Sequence, residues 1–223
     1  MKFDAILYWM VRTASWVFIH LVSRPQVSGQ EHMPRTGPLL IVANHLSWYD
    51  PLLLGSIFPR RLWFFTKREL FDWPFVGWFG RVTGQIPVCR GEGDRTAMEK
   101  ALTYLREGKA VVIFPEGTTA QQEQMLTAHT GAAMLALRTG VVVLPVAHTG
   151  TRRILRLGSW IPKINVQVGR SFTTEVPKGM ARKVSLQVIT QEIMEHIAEM
   201  LPLEQRGVYR VEIGHPEEMQ TSS

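Results

Sequence analysis

The sequence predicts an α/β fold: a mostly parallel central sheet flanked by helices, preceded by an N-terminal amphipathic helix. Three observations lead there. Short runs of consecutive apolar residues, notably 39–43 and 110–114, have the unbroken apolarity of strands buried on both faces. Stretches of helical periodicity separate them, which calls for crossover connections and hence parallel pairing. With 223 residues, 45% hydrophobic and 20% charged, the chain suits one substantial core and is too apolar for disorder.

The first element spans residues 1–24. Its apolar run, 5–22, is interrupted by Arg12 and His20. An arginine at the centre of a spanning helix costs roughly 2.5–3.5 kcal/mol on insertion scales. Wound as a helix, Phe3, Ile6, Leu7, Met10, Ala14, Val17, Phe18 and Leu21 form one stripe, with Lys2, Arg12, His20 and Ser23 elsewhere and Trp9 and Trp16 beside them. That pattern predicts a membrane-associating helix lying in the interface, its tryptophans at headgroup level. A helix packed on a core has the same periodicity. A cleaved signal peptide does not fit, because the run is broken and no small-residue cleavage site follows.

After Pro25, strands are expected at 39–43, 62–66, 86–88, 110–114 and 141–146, with 164–168 alternating and nearer an edge. Asp94 reads as the cap of a helix through Arg106, ended by Gly108. Further helices are expected at 130–137, stopped by Gly140, and at 184–200, ending before Pro202. The organisation is therefore an interfacial helix (1–24), one domain (25–203) and a polar peripheral tail (204–223).

The net charge of +6 attracts polyanions. No long basic run and no zinc-finger or RNA-binding spacing occurs, so an anionic membrane surface is expected and nucleic acid is not. The one cysteine, Cys89, excludes an internal disulfide and fits a reducing compartment. The location expected is the cytoplasmic face of the cell membrane, peripheral or monotopic.

Two constellations can carry chemistry. Asn44-His45-Leu46-Ser47-Trp48-Tyr49-Asp50-Pro51 follows the first buried strand, where open α/β sheets place their sites. Pro51 suits a first helical position, which makes Asp50 a cap and leaves a turn able to fold its carboxylate back toward His45. A histidine so held can take a proton from an alcohol; a helix cap beside a loop histidine reads the same in isolation. Phe114-Pro115-Glu116-Gly117-Thr118-Thr119 ends another buried strand. Glu116 there is too expensive to bury unpaired, and Gly117 permits close approach or positive φ. Between them nine aromatics crowd 58–79, interleaved with Arg60, Arg61, Lys67 and Arg68, which suits anionic lipid. Arg90 follows the 86–88 strand, where a guanidinium can grip phosphate.

In combination these pieces resemble the glycerolipid acyltransferases, the family of 1-acylglycerol-3-phosphate acyltransferases. Four blocks stand in order: Asn44-His45 through Asp50, Ile86-Pro87-Val88-Cys89-Arg90, Phe114 through Thr118, and Val143-Leu144-Pro145-Val146. Thr66-Lys67-Arg68-Glu69-Leu70 is similar to another family element. The resemblance covers about residues 25–175. It implies that His45 is the general base and that Asp50 orients it. It further implies that Lys67 and Arg90 hold the acceptor phosphate, and that Glu116, Gly117 and Thr118 shape the acceptor site. Val143–Val146 would contribute to acyl-chain binding. The substrates implied are a lysophospholipid acceptor and acyl-CoA or acyl-acyl carrier protein as donor, with no cofactor and no metal.

Two positions depart from the family pattern. Thr119 stands where arginine usually follows Glu-Gly-Thr, and His129 where lysine often precedes Thr-Gly-Ala. Both remove positive charge near the expected phosphate, which puts the acceptor's identity in question and brings in another lysolipid, such as a lyso-aminolipid. An esterase or thioesterase would put water in place of the alcohol, but no Gly-x-Ser-x-Gly elbow is present. Cys89 as nucleophile would have to meet His45 in space. A metal site lacks an evident third ligand beside His45 and Asp50. A non-catalytic lipid-binding protein does not need His45, Asp50 and Glu116 intact.

Overall fold

Seven strands line up in the order β1-β7-β6-β2-β5-β3-β4 in the computed structural model, which describes residues 2–89, 94–156, 161–175 and 179–210. They are β1 (Arg24–Ser28), β2 (Leu39–Ala43), β3 (Leu62–Lys67), β4 (Ile86–Val88), β5 (Ala110–Ile113), β6 (Val142–Thr149) and β7 (Lys163–Val168). Five are mutually parallel, and β7 pairs antiparallel with β6. The α-helices are α1 (Lys2–Val22), α2 (Asp50–Ile57), α3 (Pro74–Thr83), α4 (Arg95–Arg106), α5 (Gly131–Thr139) and α6 (Arg182–Glu199). The fold class expected from the sequence holds.

β2 shows why apolar runs become central strands. All five of its side chains are fully buried, and they alternate between two cores. Leu40 and Val42 face α4, α5 and α6, whereas Leu39, Ile41 and Ala43 face α1 and α2. Consequently the crossover leaving β2 passes over one face, through α2, and that leaving β5 passes over the other, through α5. The chain parts at the C-terminal ends of β2 and β5, the position where open sheets form a crevice.

Helix ends follow their punctuation. Asp94 Oδ1 accepts from Ala97 N at 2.9 Å to cap α4, and Gly140 takes φ 63° to end α5. β1, Arg-Pro-Gln-Val-Ser, was not foreseen from the sequence. It is a polar edge strand parallel to β7, with no apolar period to announce it.

α1 docks through its polar side. Tyr8, Ser15 and Ile19 are buried, Tyr8 Oη accepts from Leu62 N at 2.9 Å, and Arg61 Nη1 lies 3.1 Å from Asp4 Oδ2. Arg12 turns toward the domain, its Nε and Nη2 donating to Phe58 O at 3.2 and 3.1 Å. Phe3, Ile6, Met10, Val17 and Leu21 are left outward, between 51% and 72% exposed, with Trp9 and Trp16 beside them. So the predicted stripe faces away from the core, Leu7 and Phe18 forming its half-buried border. By length and composition, Phe3–Val22 is also long and apolar enough to cross a membrane. α3 packs against α1 and adds exposed Trp78 and Phe75, the latter 87% exposed. The aromatic stretch therefore divides: Phe58 and Phe64 are core, whereas Trp73, Phe75 and Trp78 are surface.

Candidate active site

Beyond Ala43 the chain leaves β2 and turns back on itself before α2. Asp50 closes that turn. Its Oδ2 accepts from Leu46 N at 2.7 Å, from Ser47 N at 2.8 Å and from His45 Nδ1 at 2.8 Å. The expected cap position is corrected by one residue, Asp50 being the first residue of α2 and Tyr49 the cap, while the carboxylate folds back to His45 as the turn allows. Because a carboxylate only accepts, His45 carries its proton on Nδ1 and keeps Nε2 as the acceptor. The Phe114 ring stacks on the imidazole at 4.2 Å and 16°, fixing its plane.

Burial works to raise the Asp50 carboxyl, but His148, the His45 hydrogen bond and the Ser47 amide outweigh it and hold the group below the ordinary carboxylate range. Asp50 is therefore ionised and fully enclosed. Glu116 behaves oppositely. Only 3% exposed, it is pushed up to about 7 by burial, against the pull of the amides of Leu126 and His45. Its Oε1 accepts from His45 N at 3.0 Å and its Oε2 from Leu126 N at 2.9 Å. One side chain thus ties the His45 turn to the loop after β5. A second tie joins Ala120 N to His45 O at 2.9 Å, and Arg152 Nη1 donates to Ala120 O.

Gly117 sits at φ 70°, and a Cβ there would lie 3.0 Å from His129 Cδ2. Only glycine meets both conditions without strain. Thr118 is exposed and Thr119 half-buried. Both line a groove of about 750 Å³ with Gln121, Gln122, Gln124, Met125 and the segment Leu203 to Arg210. His45, Asp50 and Glu116 therefore converge, with Gly117 and Thr118 following Glu116 along the chain. Lys67 ends β3 at the same sheet edge, two strands from β2 and about 10 Å away at ordinary strand spacing, paired with Glu69 at 3.3 Å. Arg90 lies outside the described residues.

The alternative of Cys89 as nucleophile fails. Cys89 is exposed, and β4 lies three strands from β2, about 14 Å, too far to share His45. Val143, Leu144 and Val146 are completely buried inside the two cores. Two residues given no role from the sequence stand at the site. Asn44 bridges β2 to β6, donating to His148 O and accepting from His148 N, both at 2.9 Å. His148 is itself fully buried, with Nε2 3.7 Å from Asp50 Oδ2. The available signal was a polar residue continuing the 141–146 run in register. Among the described residues, no group of three or more His, Cys, Asp or Glu is arranged to hold a metal.

The acyltransferase family profile matches residues 24–149, from β1 to the end of β6, and so contains every one of these converging side chains. The chain belongs to the acyltransferase family. Within it, the chain is 39% identical over 141 residues to the lyso-ornithine lipid O-acyltransferase of Pseudomonas aeruginosa, a match covering 63% of this chain and 51% of that protein. It is 28% identical over 214 residues to the 1-acyl-sn-glycerol-3-phosphate acyltransferase of the same organism, covering 94% and 78% respectively. The crystal structure of the 1-acyl-sn-glycerophosphate acyltransferase PlsC from Thermotoga maritima superposes with a TM-score of 0.68 at 26% identity, covering 89% of this chain and 82% of that one. Against several relatives the chain spans about half of their length or less.

Proposed function

We propose that this acyltransferase-family chain moves a fatty acyl group from a thioester to the free hydroxyl of a lysophospholipid, 1-acylglycerol-3-phosphate first among them, giving phosphatidic acid. The observation that carries the reading is the 2.8 Å pair of His45 Nδ1 and Asp50 Oδ2, which leaves Nε2 as a base at the strand ends. Nε2 takes the hydroxyl proton as the oxygen attacks the thioester carbonyl. The tetrahedral intermediate collapses, the C–S bond breaks, and the proton passes from His45 to the leaving thiolate. Asp50 balances the imidazolium between these steps. No acyl-enzyme forms, and the donor, acyl-CoA or acyl-acyl carrier protein, is a co-substrate rather than a resident cofactor. Glu116 holds the two loops together, Gly117 and Thr118 form the acceptor's wall, and Lys67 with Arg90 meets its phosphate.

The acceptor's acyl chain keeps it in a bilayer, so the site works at a lipid surface. The outward stripe of α1 and the net charge of +6 support docking on the anionic cytoplasmic face of the cell membrane.

A second acceptor, a lyso-aminolipid such as lyso-ornithine lipid, is favoured by two observations. The 39% identical relative carries that name. Thr119 and the glutamines of the groove offer neutral hydrogen bonding where the family pattern has arginine.

Purified protein offered a panel of lysolipids with each donor, products resolved by mass, tests both. Lys67→Ala should raise the apparent KM for phosphate acceptors without changing that for the donor, and Thr119→Arg should favour phosphate acceptors further. Transfer to lyso-ornithine lipid with none to 1-acylglycerol-3-phosphate would replace the first acceptor by the second.

A further inference from the structure

We propose that His148 is a positioning residue that steadies the Asp50 carboxylate and, through it, the His45 base. The inference rests on the reading of the reaction given above.

The strand register sets the stage. Ala43 pairs with Val146, so His148 lies level with His45 across the β2–β6 pairing. Leu144, Val146 and His148 alternate onto one face, the face covered by α2. The first two are core. At the third position, where another aliphatic side chain would pack, the strand places a fully buried imidazole. Its main chain is clamped on both sides by the Asn44 amide, so the side chain's height and direction are fixed by the sheet and not by a loop.

Neither ring nitrogen of His148 has a hydrogen-bond partner among the described residues, and neither has Asp50 Oδ1. Orphaned polar atoms are costly in a dry core and are commonly found where function requires them. Here the unpartnered His148 Nε2 stands 3.7 Å from Asp50 Oδ2, the oxygen that already accepts from His45, Leu46 and Ser47, on a carboxylate whose Oδ1 has no partner. That separation exceeds a hydrogen bond and is within reach of a small adjustment. Links of this kind in substrate-free sites often tighten in the reacting complex.

The groups facing His148 are Asp50 from α2, His45 and Asn44 from the end of β2, and, through Asp50, Glu116 beyond β5. Burial lowers the imidazole's affinity for protons, and the adjacent Asp50 charge only partly restores it. Near neutral pH, above the ordinary histidine range, His148 thus presents Asp50 with an N–H dipole rather than a second cation. A cation there would compete with imidazolium at His45 for the same carboxylate. A neutral donor favours the ionised carboxylate and leaves its charge for His45.

The test compares His148→Leu with His148→Gln, whose Nε2 amide can occupy the place of the imidazole Nε2. Asp50 is titrated in each full-length protein by carboxyl-carbon NMR. Turnover is followed against pH, and thermal unfolding is measured alongside. In His148→Leu the Asp50 titration should rise by about 0.5 units or more. The kcat should fall roughly ten- to a hundredfold, as for other outer partners of working histidines, with acceptor KM little changed. The acid limb of the kcat profile should move to higher pH. His148→Gln should restore both readouts. An unmoved Asp50 titration in folded His148→Leu overturns the proposal, as does equal impairment of both variants in proportion to lost thermal stability. If His45→Ala protein still transfers acyl groups, the reading of the reaction fails, while the Asp50 titration continues to decide the role of His148.

Discussion

Replacing Asp50 by Asn removes one charge from a fully enclosed site and leaves its size unchanged. Oδ2 accepts three N–H groups at 2.7–2.8 Å. A hydrogen bond to an ionised group is worth about 1.5–3 kcal/mol and a neutral one about 0.5–1.5, so each bond weakens by roughly 1 kcal/mol. Relief of the buried charge offsets part of that sum, and the turn should keep its shape. Catalysis should suffer more. Once His45 is protonated, imidazolium and carboxylate stand 2.8 Å apart. At an effective dielectric of about 20 their attraction is about 6 kcal/mol, a ceiling on what the amide forfeits. Should the amide NH₂ face Nδ1, the imidazole is also driven to the tautomer whose Nε2 cannot accept a proton. The expected fall in kcat is thus about 10²–10⁴. Thiol release under saturating acceptor, with circular dichroism to verify folding, gives the number. The acid side of the stability profile should change as well. A depressed folded-state carboxyl contributes stability above the ordinary carboxylate range that is lost as pH falls through its folded value, and the amide lacks that contribution. A folded Asp50→Asn protein turning over within threefold of wild type would refute the reasoning.

Glu116, raised from 4.5 to about 7, should make the protein less stable as pH rises. Across that window the unfolded chain gives up a proton that the native state still holds, a loss of roughly 3 kcal/mol. Urea midpoints from pH 5 to 8 should fall in wild type and stay flatter in Glu116→Gln; parallel curves would show that Glu116 does not titrate there. On α1, Ile6→Glu, Met10→Glu and Leu21→Glu together should abolish sedimentation with anionic vesicles while thermal unfolding stays near wild type. Each side chain is more than half exposed, and an inserted aliphatic group is worth about 1.5–3 kcal/mol. Undiminished sedimentation would shift the docking surface to Trp73, Phe75 and Trp78.

The sequence disclosed what repeats or punctuates. Runs such as Leu39–Ala43 could only be central strands, and Asp94 and Gly140 marked helix ends. β1 was hidden because its pairing with β7 depends on the sheet, not on any apolar period of its own. At the site, Pro51 allowed the meeting of His45 and Asp50 to be read as a local turn. The amides of Leu46 and Ser47 on the same carboxylate oxygen could not be read that way, because a cap and a back-turned acceptor share one sequence. The position of Glu116 after a buried strand was legible. Its two amide partners, Leu126 and His45, are set by a loop that returns across the sheet edge. The roles of His148 and Asn44 escaped notice for the same reason. Their meeting is a matter of register between β2 and β6, 104 residues apart, and no local pattern encodes it.

In the proposed reaction His45 deprotonates the acceptor, which attacks the thioester directly. The measurement that reaches it is paired mass analysis of enzyme and lipid in His45→Ala and wild-type protein given thioester and lysolipid. Wild type should yield one acylated lipid per thiol released, with the polypeptide mass unchanged throughout. Folded His45→Ala should form product slower by about 10²–10⁴. Wild-type rates from folded His45→Ala, or an acylated polypeptide that transfers its acyl group on adding lysolipid, would contradict the account.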